Sequence, residues 1–174
     1  MKLIYRTAYM NKLASAMGTP DIKVITGIRR CGKSKLLEAF ADQIRASFPT
    51  ANIIRINFNL LEFEPLMQYR ALHDYVEKHF VEGCNNVVII DEVQMCEGFE
   101  KAINSLHASE KYDIYITGSN AFLLSNDLST LFTGRIFEVE VFPFSLAEFA
   151  QYHEITSPDE ALTRYLREGG MPGS

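Results

Sequence analysis

The stretch that most constrains this chain is Gly27-Ile28-Arg29-Arg30-Cys31-Gly32-Lys33-Ser34, which fits the pattern G-x-x-x-x-G-K-[ST]. Its flanks give the pattern a structural setting. Before it, Asp21-Ile22-Lys23-Val24-Ile25-Thr26 is a short β-branched run that predicts a buried strand. After it, Leu36, Leu37, Phe40 and Ile44 recur at helical spacing and predict an amphipathic helix over residues 34–48. Strand, glycine loop and helix thus follow in the order a phosphate-cradling loop requires.

The residue types suit that chemistry. Gly27 and Gly32 lack Cβ, so the backbone can wrap a phosphate and aim its N–H groups inward. The following helix adds about half a positive charge at its N-terminus. Lys33 supplies a mobile cation for the β- and γ-phosphates, and the Ser34 hydroxyl can ligate Mg²⁺. The candidate nucleotide-binding residues are therefore Gly27, Ile28, Arg29, Arg30, Cys31, Gly32, Lys33, Ser34 and Lys35. The plainer reading is a glycine turn before an ordinary helix, with Lys33 solvated. The strand–loop–helix context argues against it.

A second constellation lies further on. Val87-Val88-Ile89-Ile90 predicts a strand buried on both faces, as in a parallel sheet covered by helices. It runs into Asp91-Glu92, two carboxylates at the strand's C-terminal end, where open α/β sheets place their ligand sites. Asp91 is suited to the Mg²⁺ shell and Glu92 to orienting and deprotonating an attacking water. In isolation the pair would read as a solvated acidic turn.

The other elements fill in an alternation. A weakly periodic segment with Tyr9, Leu13 and Met17 predicts a helix ending near Gly18-Thr19-Pro20. Residues 52–58 predict a strand, and Leu66, Tyr69, Leu72, Val76 and Phe80 line one face of a helix within 66–80. A loop follows at Gly83-Cys84-Asn85-Asn86. Phe99, Ile103 and Leu106 predict a helix, and residues 112–117 a fourth strand that runs into Gly118-Ser119-Asn120. Ser119 or Asn120 can contact the γ-phosphate or position water. Asn120 can equally cap a helix beginning at Ala121. A short helix reaches Phe132, and Gly134-Arg135 leads into a fifth strand over 136–141. Ser145-Leu146-Ala147-Glu148 and Ser157-Pro158-Asp159-Glu160 read as capping boxes opening two more helices, the last stopping at Gly169-Gly170.

Composition excludes several alternatives. At 174 residues the chain reads as one domain over 1–174, with an ordinary 47% hydrophobic and 22% charged residues. A net charge of −5 gives no indication of an extended nucleic-acid surface. The N-terminus lacks the apolar core of a signal peptide, and no apolar run approaches the ~18 residues that cross a bilayer. The expectation is a cytoplasmic protein without a membrane partner. Cys31, Cys84 and Cys96 show no metal-ligand spacing, and the odd number suits a reducing compartment. Cationic neighbours and the helix start could lower the pKa of Cys31 for a redox switch, although a bystander thiol is the simpler reading. His73, His79, His107 and His153 fall in helical patterns and read as surface or packing residues.

Strands alternating with helices predict a three-layer α/β domain with a mainly parallel sheet. The phosphate loop, the hydrophobic-Asp-Glu strand, the strand running into Thr117-Gly118-Ser119-Asn120, and Gly134-Arg135 before a fifth strand together resemble the core of an AAA-type P-loop NTPase. More narrowly, the chain resembles prokaryotic AAA-type ATPases whose loop reads Gly-x-Arg-Arg-x-Gly-Lys-Ser and which usually carry an uncharacterised C-terminal domain. The resemblance implies a five-stranded sheet of order 5-1-4-3-2, with ATP and Mg²⁺ as cofactors. It assigns Lys33 and Ser34 to phosphates and metal, Asp91 to the metal shell, Glu92 to the water and Asn120 to a polar sensor. Arg135 matches an arginine that often acts on a neighbouring subunit's nucleotide, which implies a homo-oligomer. Such proteins normally add a helical lid with a second sensing arginine, so this chain is expected to be a core lacking its lid and following domain, or to carry a minimal lid.

Two functions compete. One is Mg²⁺-dependent ATP binding and hydrolysis to ADP, favoured by the dedicated base Glu92. The other is a nucleotide-gated switch that binds ATP, turns over rarely and signals to an attached domain, favoured by the short C-terminal end. A GTPase would want Asn/Thr-Lys-x-Asp after a strand, and Glu110-Lys111-Tyr112-Asp113 lacks the first residue and precedes its strand. A kinase could use Glu92 on a substrate hydroxyl, but no acceptor pocket is legible.

Overall fold

The computed structural model describes residues 6–119, 128–133 and 135–170. Five parallel strands form its centre: β1 (Ile22–Thr26), β2 (Asn52–Asn57), β3 (Asn86–Asp91), β4 (Tyr112–Thr117) and β5 (Ile136–Glu140). Their order is β2-β3-β4-β1-β5, the predicted 5-1-4-3-2 read from the other edge. β1 and β3 are buried along their whole length, as strands rich in β-branched residues are when helices cover both faces.

Side-chain alternation divides the core in two. Ile22, Val24, Ile54, Ile56, Val88, Ile90, Ile114 and Ile116 face one way and pack with α3 (Tyr69–Lys78) and α4 (Phe99–Ala108). Ile25, Val87, Ile89, Tyr115 and Val139 face the other way, onto α1 (Thr7–Ala16) and α2 (Lys33–Ser47). The two helical layers and the sheet between them are the predicted three-layer α/β architecture.

A buried charge interrupts the apolar pattern of β1. Lys23 is fully buried in β1, and its Nζ donates to Asp113 Oδ1 at 2.5 Å and to the Thr19 carbonyl at 2.7 Å. Asp113 Oδ2 accepts from the Tyr115 hydroxyl and the Gly18 N–H, each at 3.0 Å. A buried charge persists only when paired and hydrogen-bonded, and this knot ties the end of α1 to β1 and β4 at the sheet's N-terminal edge.

Several boundaries depart from the sequence reading. A 3₁₀ helix at Leu61–Leu66 follows β2, and α3 starts only at Tyr69, capped by Gln68 accepting from Arg70 N and Ala71 N. β3 ends at Asp91, so Glu92 is a turn residue in the left-handed region (φ 55°) rather than the last residue of the strand. After α5 (Leu128–Leu131) and β5 come α6 (Leu146–Tyr152) and α7 (Pro158–Glu168). Ser145 and Glu148 form the full capping box at α6, whereas at α7 Ser157 accepts from Glu160 N behind Pro158. Phe144 and Phe149, with Tyr152, Ile155 and Tyr165, make a separate small core between these two helices.

Candidate functional site

The parallel register brings the candidate residues to one end of the sheet. Asn57 pairs with Asp91 in neighbouring strands, Ile90 pairs with Ile116, and Ile25 pairs with Thr117. The C-terminal ends of β1, β3 and β4 therefore sit side by side, and the loop 27–34 starts from the first of them.

The loop's path depends on missing side chains. Gly27 has φ +152°, and a Cβ there would lie 2.5 Å from the Val141 carbonyl and 2.6 Å from Cys31 Sγ. Gly32 is the N-cap of α2 with φ 99°. Between them Arg30 is held at φ 68°, a left-handed conformation that costs a non-glycine residue about 1–2 kcal/mol. Two of the four non-glycine residues with positive φ among those described, Arg30 and Glu92, thus belong to this one site. Such strain collects where the surrounding structure needs a particular backbone geometry.

Lys33 is buried, and its Nζ donates to the Gly27 carbonyl at 2.7 Å and the Ile28 carbonyl at 2.9 Å. The ammonium is therefore held inside the loop. Ile28, Arg29 and Arg30 are exposed on its outer side. Lys35 is the third residue of α2, where its ammonium meets Glu38 at 2.9 Å. Cys31 is fully buried against the loop, and burial pushes its thiol above the ordinary range despite the nearby Lys33 and Arg6. The expectation of a lowered thiol pKa is corrected accordingly, because desolvation outweighs the two cations.

Asp91 is buried, not the solvated turn residue that the pair would suggest in isolation. Its Oδ1 accepts from Thr117 Oγ1 at 2.6 Å and Ser34 Oγ at 3.1 Å. Its Oδ2 is buried with no partner among the described residues. Burial raises the Asp91 pKa, while the Thr117 and Ser34 hydroxyls oppose the shift. An orphaned carboxylate oxygen beside a serine hydroxyl fits a hard divalent cation, which takes one or two carboxylates and completes its shell with water and phosphate oxygens. Among the described residues no cluster of three or more acidic, His or Cys side chains offers an all-protein metal cage.

Glu92 is half-buried, its N–H held by Thr117 Oγ1 at 3.0 Å and its Oε2 by Gln94 Nε2 at 2.5 Å. Thr117 therefore ties the two acidic residues together, donating its hydroxyl proton to the Asp91 carboxylate and accepting from the Glu92 backbone N–H through the same oxygen. Neither Thr117 nor Gln94 was singled out from the sequence. The signal for Thr117 was its place at the end of the strand next to β3. Ser119 is half-buried beyond β4, and Asn120 lies outside the described residues, as does Gly134.

Arg135 is at the other end of the molecule. Its carbonyl accepts from Ile22 N at 2.8 Å, so it sits where β5 and β1 begin, a strand's length from the phosphate loop. Its guanidinium is 88% exposed and meets Asp21 Oδ1 at 3.5 Å. Its ion-pair partner is thus the residue that precedes β1. Parallel pairing puts the residues preceding β1 and β5 together, while Glu138 accepts from Thr26 Oγ1 at 3.1 Å.

The four histidines bind surface and packing partners, His107 Nε2 donating to the Pro20 carbonyl and His79 stacking on Tyr75. No helix among the described residues is long and apolar enough to cross a membrane.

Known proteins are similar to this chain in sequence and in fold. A family model described as AAA domain matches residues 19–150. An uncharacterized protein of Haemophilus influenzae is 34% identical over 176 residues, covering 98% of this chain and 44% of that protein. An uncharacterized protein of Methanocaldococcus jannaschii is 30% identical over 168 residues, covering 87% of this chain and 35% of its own length. The chain thus spans less than half the length of both relatives. Among solved structures, the Aeropyrum pernix ORC1 protein superposes with a TM-score of 0.63 at 12% identity, covering 99% of this chain and 52% of that one. C. elegans PCH-2 gives 0.60 at 18% identity, covering 96% and 50%. Domain III of Thermotoga maritima DnaA gives 0.55 at 18%, covering 99% and 75%. At such identities these structures speak for the fold alone. The family match extends over most of a chain that folds this parallel sheet around this phosphate loop, and the chain belongs to the AAA-type P-loop ATPases.

Proposed function

We propose that this chain binds Mg²⁺–ATP at the loop 27–34 and hydrolyses it to ADP. The observation that carries the reading is the orphaned Oδ2 of Asp91, on a carboxylate whose other oxygen is shared by Ser34 and Thr117. A buried carboxylate oxygen without a partner is expensive unless a ligand completes it.

In this reading the backbone N–H groups of the loop and the start of α2 receive the phosphates. Lys33 exchanges its bonds to the Gly27 and Ile28 carbonyls for phosphate oxygens. Ser34 and Asp91 hold the Mg²⁺, which when bound neutralises charge on the phosphates. Glu92 accepts a proton from the attacking water, its backbone set by the left-handed turn and by the Thr117 hydroxyl. Asn120 serves as a polar sensor. Arg135 cannot serve its own loop from the far end of the sheet, so any catalytic part it plays is on the nucleotide of a second copy.

The test is Glu92→Gln, which keeps shape and hydrogen bonding but accepts no proton. It is expected to retain Mg²⁺–ATP binding and to lose hydrolysis by about 10²–10⁴-fold, the usual share of general base catalysis. Hydrolysis at the parent rate would remove Glu92 from that role.

The 2.5 Å bond from Gln94 to Glu92 favours the second reading, a switch that binds ATP and turns over slowly. A donor fixed on the carboxylate holds it in place, and that bond has to open before the oxygen can meet a water. Under this reading Gln94→Ala raises steady-state phosphate release; under the first, release is unchanged or falls.

A further inference from the structure

Arg6 lies outside every motif of the sequence, yet it is among the few buried charged side chains and joins three parts of the molecule. It sits just ahead of α1. Its Nη1 donates to the carbonyl of Cys31, inside the phosphate loop, at 3.0 Å. Its Nη2 donates to the Phe142 carbonyl at 2.7 Å, in the segment between β5 and α6. Its Nε and Nη2 fork onto Glu148 of α6 at 2.5 and 3.1 Å. The guanidinium is enclosed by Tyr9 and Phe144, with ring centroids 4.6 and 5.3 Å from its carbon.

Each contact has a consequence for the loop. All described peptides are trans, so the N–H of Gly32 points opposite to the Cys31 carbonyl that Arg6 holds. Fixing that carbonyl on Arg6 turns the Gly32 N–H away from Arg6, the sense in which an N–H at the start of α2 can serve a phosphate. The second contact joins α6 and α7 to the loop. These two helices pack on each other more than on any element of the α/β body. Their unit is closed by the Phe144 N–H donating to the Gly170 carbonyl and by the Tyr165 hydroxyl donating to the Phe144 carbonyl at 2.7 Å. Glu148 is also the residue that closes the α6 capping box, accepting from Ser145 N at 3.0 Å. A shift of the Cys31 peptide therefore pulls on the first turn of α6 through one rigid guanidinium.

We propose that Arg6 is a positioning residue of the nucleotide site, setting the Cys31–Gly32 peptide for phosphate and tying that peptide to α6. The proposal rests on the nucleotide-binding reading above. A planar fork with five donors suits such a three-way junction, and lysine, with one compact ammonium, cannot span the same acceptors.

The experiment measures Mg²⁺–ATP affinity and amide exchange across residues 146–152, with and without ATP, in parent, Arg6→Gln, Arg6→Lys and Glu148→Gln. In the parent, saturating ATP slows exchange in α6. In Arg6→Gln, affinity falls by at least about fivefold, the lower end of usual coupling between sites, and ATP leaves α6 exchange unchanged. Arg6→Lys restores neither. Glu148→Gln keeps a capping acceptor while neutralising the pair, so it keeps the fold and weakens the α6 response to ATP. A role in folding alone would lower the melting temperature but leave ATP affinity and the α6 response as in the parent, and that result overturns the proposal. If Arg6→Gln fails to fold, Glu148→Gln decides, and a parent-like α6 response in it overturns the proposal. Lys33→Ala separates the two readings. A parent that binds no ATP, or binds it equally well as Lys33→Ala, overturns the nucleotide site itself. Loss of ATP affinity in Lys33→Ala together with parent-like behaviour of Arg6→Gln overturns the role of Arg6 alone.

Discussion

Gly27→Ala is the substitution whose effect follows most directly from the backbone. Two penalties combine. At φ +152° the residue lies in a region populated almost solely by glycine, which costs about 1–3 kcal/mol for any other residue. The new methyl would also lie 2.5 Å from a backbone carbonyl, that of Val141, and 2.6 Å from Cys31 Sγ. Val141 is fixed by its own N–H donating to the Thr26 carbonyl at 2.7 Å, so the carbonyl cannot yield without disturbing the end of β1. Overpacking of this kind costs typically about 1–3 kcal/mol. The sum is roughly 2–6 kcal/mol, a large part of the stability of an ordinary domain. Gly83→Ala is the control: its φ of +81° carries a left-handed penalty of about 1–2 kcal/mol, and a Cβ there meets nothing within 4 Å. The chain has no tryptophan, so urea unfolding is followed by far-ultraviolet circular dichroism. Gly27→Ala should lower stability clearly more than Gly83→Ala and weaken ATP binding with it. Equal losses in the two variants would refute the close approach of Val141 and Cys31 to Gly27.

Two further perturbations test other parts of the account. Arg135→Ala removes a guanidinium that is almost wholly exposed, so folding stability should change by at most about 1 kcal/mol and ATP binding should persist. Hydrolysis by the assembled protein should be lost and then recovered on mixing with excess Lys33→Ala subunits; mixed oligomers that recover nothing refute a role in trans. The Arg6–Glu148 pair predicts a pH dependence. Burial would raise the Glu148 carboxyl, but Arg6 and the Ser145 N–H outweigh it and hold the pKa below the ordinary 4.5. A carboxylate depressed on folding adds stability above its unfolded value and loses it as pH falls through the folded one. The stability difference between parent and Glu148→Gln should be steady from about pH 7 to about pH 5 and shrink below 4.5, and a difference that persists at strongly acid pH contradicts the pairing.

Much of this architecture was legible because it is local. Short β-branched and apolar runs located all five strands, the 3.6-residue period located helices α1 to α4, and β4 spans the residues its pattern marks, Tyr112–Thr117. The 3₁₀ helix at Leu61–Leu66 escaped because its residues are exposed or half-buried and follow no 3.6 period, and because Gln68 is an unusual cap for the helix after it. At the site, Lys33, Ser34, Asp91 and Glu92 were recognisable as residue types in a known spacing. Their organiser Thr117 was not, because its role arises only when β4 lies beside β3. Arg6 was hidden for a stronger reason: its partners are 25, 136 and 142 residues away, and no local pattern encodes such a junction. The Lys23–Asp113 pair falls between these cases. A lysine in a strand buried on both faces demands a counter-charge, and the spacing of Asp113 and Tyr115 already placed both on one face.

The central claim is that the loop 27–34 holds a nucleotide through Lys33, and the most direct measurement is a calorimetric titration of Mg²⁺–ATP into parent and Lys33→Ala. The circular dichroism of both proteins is compared first, because Lys33 also bonds the Gly27 and Ile28 carbonyls. The account predicts saturable binding by the parent and a loss of more than tenfold in the folded variant, that is, more than about 1.4 kcal/mol. ATP affinity unchanged in folded Lys33→Ala would contradict it.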